Sequence, residues 1–512
     1  MTEIEKVVHE FEVKQKVGLY LGPILALILL VFFDLDPNNP LVTRTAAIAI
    51  LMAVWWITEA IPIAATALIP VVLFPIFGVM SGRDVAPQYF NNIIFLFIGG
   101  FIIALAMQKW NLHRRLALKI IMLIGVSRKK VILGFMVATA FLSMWISNTA
   151  TAMMMLPIAL AVIAKLDENF GAKKVRKFSI GLLIGVAYAA SIGGIGTLIG
   201  TPPNLAFIRI FQIYFPEAPD ISFANWLMFG LPFVIVFLLI AWQFITLIFV
   251  RGEANLRADV EIFRSEYSRL GKIKFEEKVV LIAFALVALL WIFRKDLDFG
   301  SLTIPGWSGL FPESSFIDDG TVAVTIAMLF FLIAARSDGK GRLMDWHTAV
   351  KLPWGIVILF GGGFALAAGF EHSGLSNWLG GQLTGFSHFP PLLIIVVVCL
   401  MMTFLTELTS NTATTQMILP ILASLAVAIK INPLMLMIPA TLSASCAFML
   451  PVATPPNAII FGSGRITVNQ LAKTGVLLNL MGVIIITLAI YLLGLYVFNI
   501  DLGRYPEWGN LQ

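Results

Sequence analysis

Ser147-Asn148-Thr149-Ala150-Thr151 recurs, residue for residue, as Ser410-Asn411-Thr412-Ala413-Thr414, 263 positions further along the chain. Both copies run on to a Leu-Pro pair, Leu156-Pro157 and Leu419-Pro420. Upstream, Gly99-Gly100-Phe101 is matched at the same offset by Gly362-Gly363-Phe364. Downstream, Thr201-Pro202-Pro203-Asn204 is matched by Thr454-Pro455-Pro456-Asn457 at an offset of 253. Three motif pairs in one order are too many for compositional chance. The period is far longer than the roughly 20–50 residues of a solenoid repeat.

Around these motifs the chain is apolar. Hydrophobic residues make up 59% and charged residues 12% of the 512, about half the charged share of a soluble domain. The mean hydropathy is +0.92. A membrane span takes roughly 20 apolar residues. Runs of that kind lie near 17–33, 43–60, 62–79, 91–107, 228–250, 279–294, 320–335, 352–370 and 474–499, with interrupted ones near 176–215 and 434–461. The two Ser-Asn-Thr copies sit in the middle of apolar hairpins, 131–164 and 391–428. Each arm is short of a bilayer core of about 30 Å at 1.5 Å per residue. Re-entrant hairpins are the natural reading, with two short spans joined by a tight turn as the alternative. The expectation is an all-α polytopic membrane protein of about eleven transmembrane helices plus two re-entrant hairpins. It divides into an N-terminal segment with the first helix (1–40), a first repeat (41–250), a linker (251–278), a second repeat (279–499) and a tail (500–512).

The basic residues give an orientation. Of 35 Lys and Arg, 28 fall in the N-terminal segment and in 107–130, 165–177, 251–278, 336–351 and 461–473. Those segments share one side, which the positive-inside rule makes cytoplasmic. The N-terminus is then inside and the C-terminus outside, in the plasma (inner) membrane. The first 16 residues carry no cleavable signal pattern. The first hairpin is flanked by Arg128-Lys129-Lys130 and enters from the cytoplasm, while the second follows a stretch without Lys or Arg, 371–390, and enters from outside. Two copies facing opposite ways form an inverted-topology repeat, a common basis for alternating access. The net charge of +6 is confined to loops, and no nucleic-acid partner is expected.

Polar side chains in hydrocarbon are costly unless satisfied or functional. Ser-Asn-Thr breaks a helix, because short polar side chains compete for backbone hydrogen bonds. The incoming arm then ends in free carbonyls, which suit a cation, and the outgoing arm begins with free N–H groups, which suit an anion. Consecutive prolines forbid a regular helix before them, so Ser191–Asn204 and the stretch from Ser443 to Asn457 read as unwound loops. Each loop facing a tip makes an oxygen cage for a hard monovalent cation such as sodium. No Lys or Arg lies in these segments. An anion there is held by hydroxyls, amides, helix N-termini and bound cations. Two such tips suggest a dianion of about four carbons, one carboxylate near Asn148-Thr149 and one near Asn411-Thr412.

These motifs, with the run Ser445-Cys446-Ala447-Phe448-Met449-Leu450-Pro451-Val452-Ala453-Thr454-Pro455-Pro456-Asn457, resemble the divalent anion/sodium symporter family over nearly the whole chain. The resemblance implies a homodimer with scaffold and transport domains and elevator-type movement. It implies sodium symport of C4-dicarboxylates such as succinate, malate and fumarate. One sodium site would comprise Ser143, Ser147, Asn148 and Gly196, the other Thr406, Thr409, Asn411 and Ala453. The substrate would meet Asn148, Thr149, Ser410, Asn411, Thr412, Thr454 and Pro455. The family also holds exchangers and carriers of citrate, tartrate or sulfate.

An exchanger using a counter-substrate is the main rival reading. A proton-coupled carrier is weaker, since the motif loops lack acids other than nearby Glu407. A channel needs no mirrored hairpins. No GxSxG elbow, cofactor loop or metal cluster marks an enzyme, and no cofactor is expected beyond sodium as coupling ion. Gly361-Gly362-Gly363 reads as close helix packing. Cys399 and Cys446 read as buried thiols. Glu59 reads as structural at a helix boundary, and Glu407 reads equally as stabilising its hairpin or as sensing the cation. His113, His347 and His372 read as loop residues. Trp55, Trp56 and Trp354 read as interface anchors.

Overall fold

The computed structural model describes residues 3–250, 260–298, 303–337 and 341–510. The described chain is almost wholly helical, with one two-residue strand pair, Leu297–Asp298 against Thr303–Ile304. Among the described residues nine helices are long and apolar enough to cross a bilayer. The N-terminal one, Val13–Phe32, is mostly exposed, with Tyr20, Leu27 and Phe32 turned outward. A large apolar face of this kind is stable against lipid rather than water.

Both hairpins break where the polar motifs stand. The first is Arg128–Ser143 followed by Asn148–Phe170, and the second is Pro391–Thr406 followed by Asn411–Ala428. The interrupted spans are Ala172–Gly194 with Pro202–Tyr214, and Leu434–Ala444 with Pro455–Phe461. In each the double proline occupies the first helical turn after the break, where a missing N–H costs nothing. Every residue from Phe178 to Gly194 and from Leu434 to Ala444 is buried. A helix apolar all round belongs at the centre of its bundle, and these two are the pillars on which the hairpins pack. The outgoing arms cross over: Asn148–Phe170 lies against Pro455–Phe461 of the other copy, and Asn411–Ala428 lies against Pro202–Tyr214.

Several expectations are corrected. The span expected over 62–79 is two short helices, Ile63–Thr66 and Ile69–Ile76, because Pro70 has no N–H to carry the ladder across the break and opens the second helix instead. The span expected over 320–335 is the 14-residue helix Asp319–Leu332. Two stretches read as loops carry amphipathic helices, Leu112–Ile124 and Val260–Arg269. Arg115 on the first of these forks onto Glu277, at 2.5 and 3.2 Å. Nearby, Lys109 pairs with Asp345 at 2.6 Å and holds its carboxyl at about 2. Trp56 is fully buried, its indole donating to the Ile63 carbonyl at 3.1 Å, so it is a core residue and not an interface anchor. Glu59 caps Pro40–Thr58 in the left-handed region at φ 52°, which makes it structural. His113 sits against the Met107 carbonyl at 3.0 Å. Part of the linker, 251–259, lies outside the described residues.

Candidate functional site

In the first hairpin, Ser143 is the last residue of the incoming arm, and its hydroxyl lies 2.6 Å from Asn148 Oδ1 and 2.7 Å from the Ala190 carbonyl. In the second, Thr406 stands in the same place, 2.7 Å from Asn411 Oδ1 and 2.8 Å from the Ala444 carbonyl. One hydroxyl has one proton, so it can satisfy only one of its two oxygen neighbours. A cluster of three oxygens around a single proton is chemistry suited to a hard cation. The cluster is built twice, at positions 263 apart for the hydroxyl and the amide.

The loops repeat as well. Asn204 Nδ2 donates to the Thr197 carbonyl at 2.7 Å and to the Gly194 carbonyl at 3.4 Å. Asn457 Nδ2 donates to Leu450 at 3.1 Å and to Ala447 at 3.0 Å. Each Asn thus pins the loop that precedes its own helix, from the N-terminal turn that the prolines open. Among the described residues the oxygens Asn204 Oδ1 and Asn457 Oδ1, with Ser191 Oγ and Ser445 Oγ, are buried without a partner. Buried polar atoms are seldom left so, and their gathering around both loops marks the region.

Asn148 and Asn411 turn their amide oxygens into the clusters, and among the described residues their Nδ2 donors have no partner. The side chains of Thr149, Ser410 and Thr412 also make no hydrogen bond among the described residues. The tips therefore present hydroxyl and amide groups together with the first N–H groups of an outgoing helix, a set that suits a carboxylate. Gly196 packs against Met144: a side chain at Gly196 would come within 3.1 Å of it. The Gly196 and Ala453 carbonyls receive no hydrogen bond among the described residues.

Not every expected ligand joins a cluster. Ser147 accepts from the Ala150 N–H at 3.3 Å as a helix cap. The Thr409 hydroxyl is spent on the Leu405 carbonyl at 2.9 Å and on Thr414. Thr454 caps its own helix, accepting from the Asn457 N–H at 3.4 Å, and Pro455 is exposed beside it.

Glu407 sits beside the second cluster. Its buried carboxylate accepts from the backbone N–H groups of Phe448, Met449 and Leu450 at 2.7, 2.8 and 3.0 Å, and from Asn479 Nδ2 at 2.7 Å. Four donors offset the cost of burying the charge. Glu407 is the post to which the second loop is tied. Asn479, on Val468–Ala489, is a member of this region that the motifs did not reveal. A lone Asn in an apolar span was the available signal.

The model of the sodium:sulfate symporter transmembrane region matches residues 19–500. The sodium-dependent dicarboxylate transporter SdcS of Staphylococcus saprophyticus is 47% identical over 500 residues, covering 96% of this chain and 94% of that protein. The protein of the same name from Staphylococcus aureus strain MRSA252 is equally similar, 47% over 500 residues with the same coverage. Among solved structures, Neisseria gonorrhoeae MtrF aligns with a TM-score of 0.55 at 14% identity, over 92% of this chain and 98% of that one. The YdaH transporter of Alcanivorax borkumensis aligns with a TM-score of 0.53 at 13% identity, over 81% and 88%. At such identities the likeness is one of fold alone.

Proposed function

This chain belongs to the sodium:sulfate symporter transmembrane family, and we propose that it imports C4-dicarboxylates across the inner membrane by sodium symport. It is a transporter and not an enzyme, with sodium as its coupling ion. The observation that carries the reading is the duplicated cluster of Ser143 or Thr406 with an amide oxygen and a pillar-helix carbonyl, beside tip amides whose N–H donors have no partner among the described residues. A dianion in a site without Lys or Arg needs compensating cations, and a symporter brings them.

In this reading the clusters hold sodium through Ser143, Asn148 and Gly196 in one half and through Thr406, Asn411 and Ala453 in the other. Ser147 and Thr409 shape the tips. The substrate spans from Asn148 and Thr149 to Ser410, Asn411 and Thr412, near Thr454 and Pro455. The hairpins are re-entrant arms of an inverted repeat, and they move with the two broken spans as an elevator-type transport domain within a homodimer. The N-terminus is cytoplasmic and the C-terminus outside. The outgoing arm of the first hairpin leaves Met153, Pro157 and Ala161 exposed, while that of the second is covered by Trp354–Ser373 and Leu375–Leu383.

The test is uptake of labelled succinate into proteoliposomes free of internal dicarboxylate, with and without an inward sodium gradient. Saturable sodium-dependent uptake is expected. Ser143→Ala and Thr406→Ala should each raise the sodium concentration for half-maximal rate by roughly tenfold, the scale of one interaction with a charged group. Uptake that needs internal succinate and ignores sodium would make the chain an exchanger and overturn the reading.

A further inference from the structure

Among the described residues Arg209 is a cation without an anion. It lies on Pro202–Tyr214, its Nη2 donates to Gln88 Oε1 at 3.3 Å, and its Nε is buried with no partner. Among the described residues no carboxylate pairs with it. Two buried arginines are treated differently: Arg115 has Glu277 at 2.5 Å and Arg294 has Asp319 at 2.6 Å. A guanidinium mostly withdrawn from water, with one neutral partner, is costly. In a membrane segment it marks a functional site by default.

The guanidinium borders a cavity of about 400 Å³, also lined by Asn92, Gln212 and the 215–221 turn. The volume is within the range of small-molecule sites. Asn92 opens an 18-residue helix, and the amides of Asn92 and Gln212 add hydrogen-bonding groups. The lining holds one carboxylate, Asp220. It is already engaged by Lys295 at 2.9 Å and by Gln212 at 3.3 Å, so it leaves the guanidinium uncompensated. Tyr214, Asp220 and Lys295 belong to the end of the molecule that is external in the orientation proposed above.

We propose that this cavity is a second, sodium-independent docking site, in which Arg209 takes one carboxylate of the incoming dicarboxylate before it reaches the central tips. Arginine matches a carboxylate with two parallel N–H donors, which the central site lacks. An arginine at the outer mouth raises the local concentration of the dianion and the rate of capture. The inference rests on the dicarboxylate reading only for the identity of the anion.

The experiment uses the full chain in proteoliposomes with Ala218→Cys as reporter, a lining residue with no polar side chain, since Cys399 and Cys446 are buried. A membrane-impermeant methanethiosulfonate labels the new thiol in sodium-free choline buffer. Succinate should slow labelling severalfold, Arg209→Gln should abolish the protection, and Arg209→Lys should retain part of it. Inorganic phosphate, standing for free phosphate and lipid headgroups, should protect less. Labelling indifferent to succinate, protection that survives Arg209→Gln, or protection by phosphate alone would each overturn the proposal. In uptake, Arg209→Gln should raise the succinate KM by roughly tenfold with kcat unchanged. A fall in kcat alone, or an equal effect from Gln88→Ala, would make Arg209 a latch between helices and sink the docking site. A parent chain that shows protection without sodium-driven uptake would overturn the symport reading and leave this one standing. Uptake without protection would do the reverse.

Discussion

The two halves build the same oxygen cluster and hold it by different means. In the first, backbone meets backbone. A side chain at Gly193 would come within 2.3 Å of the Ala140 carbonyl oxygen, so the pillar and the incoming arm touch directly there. The loop that follows, 195–201, is buried throughout. It is fastened by Thr197 to the Met144 carbonyl and by the Trp226 indole to Ile195 at 3.0 Å. In the second half, the position matching Gly193 is Cys446 and that matching Met144 is Glu407. The loop is longer, Val452 is exposed, and its N–H groups are gathered by the Glu407 carboxylate. The first half adds close backbone approach at Gly193 to neutral side-chain bonds, and the second uses a charge. The lesson is that the duplication preserves the cluster and the Asn204 and Asn457 pins, while the rest of the mounting differs.

The largest expected effect is therefore at Glu407. Glu407→Ala strands three backbone N–H groups and the Asn479 amide, and each stranded buried donor costs about 1–3 kcal/mol. Sodium-driven uptake should be lost, and the thermal midpoint in detergent should fall well below that of Met144→Ala, the matched change in the first half. Equal losses from the two substitutions would break the contrast. Partial retention of stability in Glu407→Gln would sharpen it, since an amide oxygen can still accept from some of the four donors.

A second comparison sets Gly193→Ala against Cys446→Ala. The added methyl at 193 has no room against the Ala140 backbone, and overpacking a tight contact costs typically about 1–3 kcal/mol. The first hairpin must shift, which should disturb the Ser143–Asn148–Ala190 cluster and weaken sodium dependence by an order of magnitude or more. Cys446 is buried and bonds weakly to the Leu442 carbonyl at 3.4 Å. Its loss leaves only a small cavity, and Cys446→Ala should transport nearly as the parent does. Sodium titrations of uptake for the two variants decide between them. A tolerated Gly193→Ala would mean that the first loop does not depend on close approach.

Much of this was legible in the sequence because breaking a helix in an apolar run takes conspicuous residues. Ser-Asn-Thr, Thr-Pro-Pro-Asn and the glycines of 193–200 announced both hairpin breaks and both loops to within a few residues. The mounting was hidden because it is long-range. Glu407 acts on residues 41–43 positions away and on Asn479, 72 away, and nothing local in the sequence links them. Arg209 reads as one basic residue near an interrupted span, and only the fold brings Gln88, 121 positions earlier, beside it. Hydropathy over 62–79 reads as one span, whereas Pro70 opens a second short helix there.

The smallest expected effect tests the first mounting at its weakest member. Thr197 is fully buried and its hydroxyl donates to the Met144 carbonyl, while its own carbonyl accepts from Asn204 at 2.7 Å. Thr197→Val removes the hydroxyl with little change of shape and leaves the Asn204 bond intact. The net loss of one neutral hydrogen bond is about 1 kcal/mol. The thermal midpoint should drop slightly, and the half-saturating sodium concentration should move by no more than a few-fold, because backbone packing at Gly193 still fixes the loop. A collapse comparable to that of Glu407→Ala would mean that the first loop also hangs on one polar side chain. The two halves would then differ in chemistry but not in how they are held.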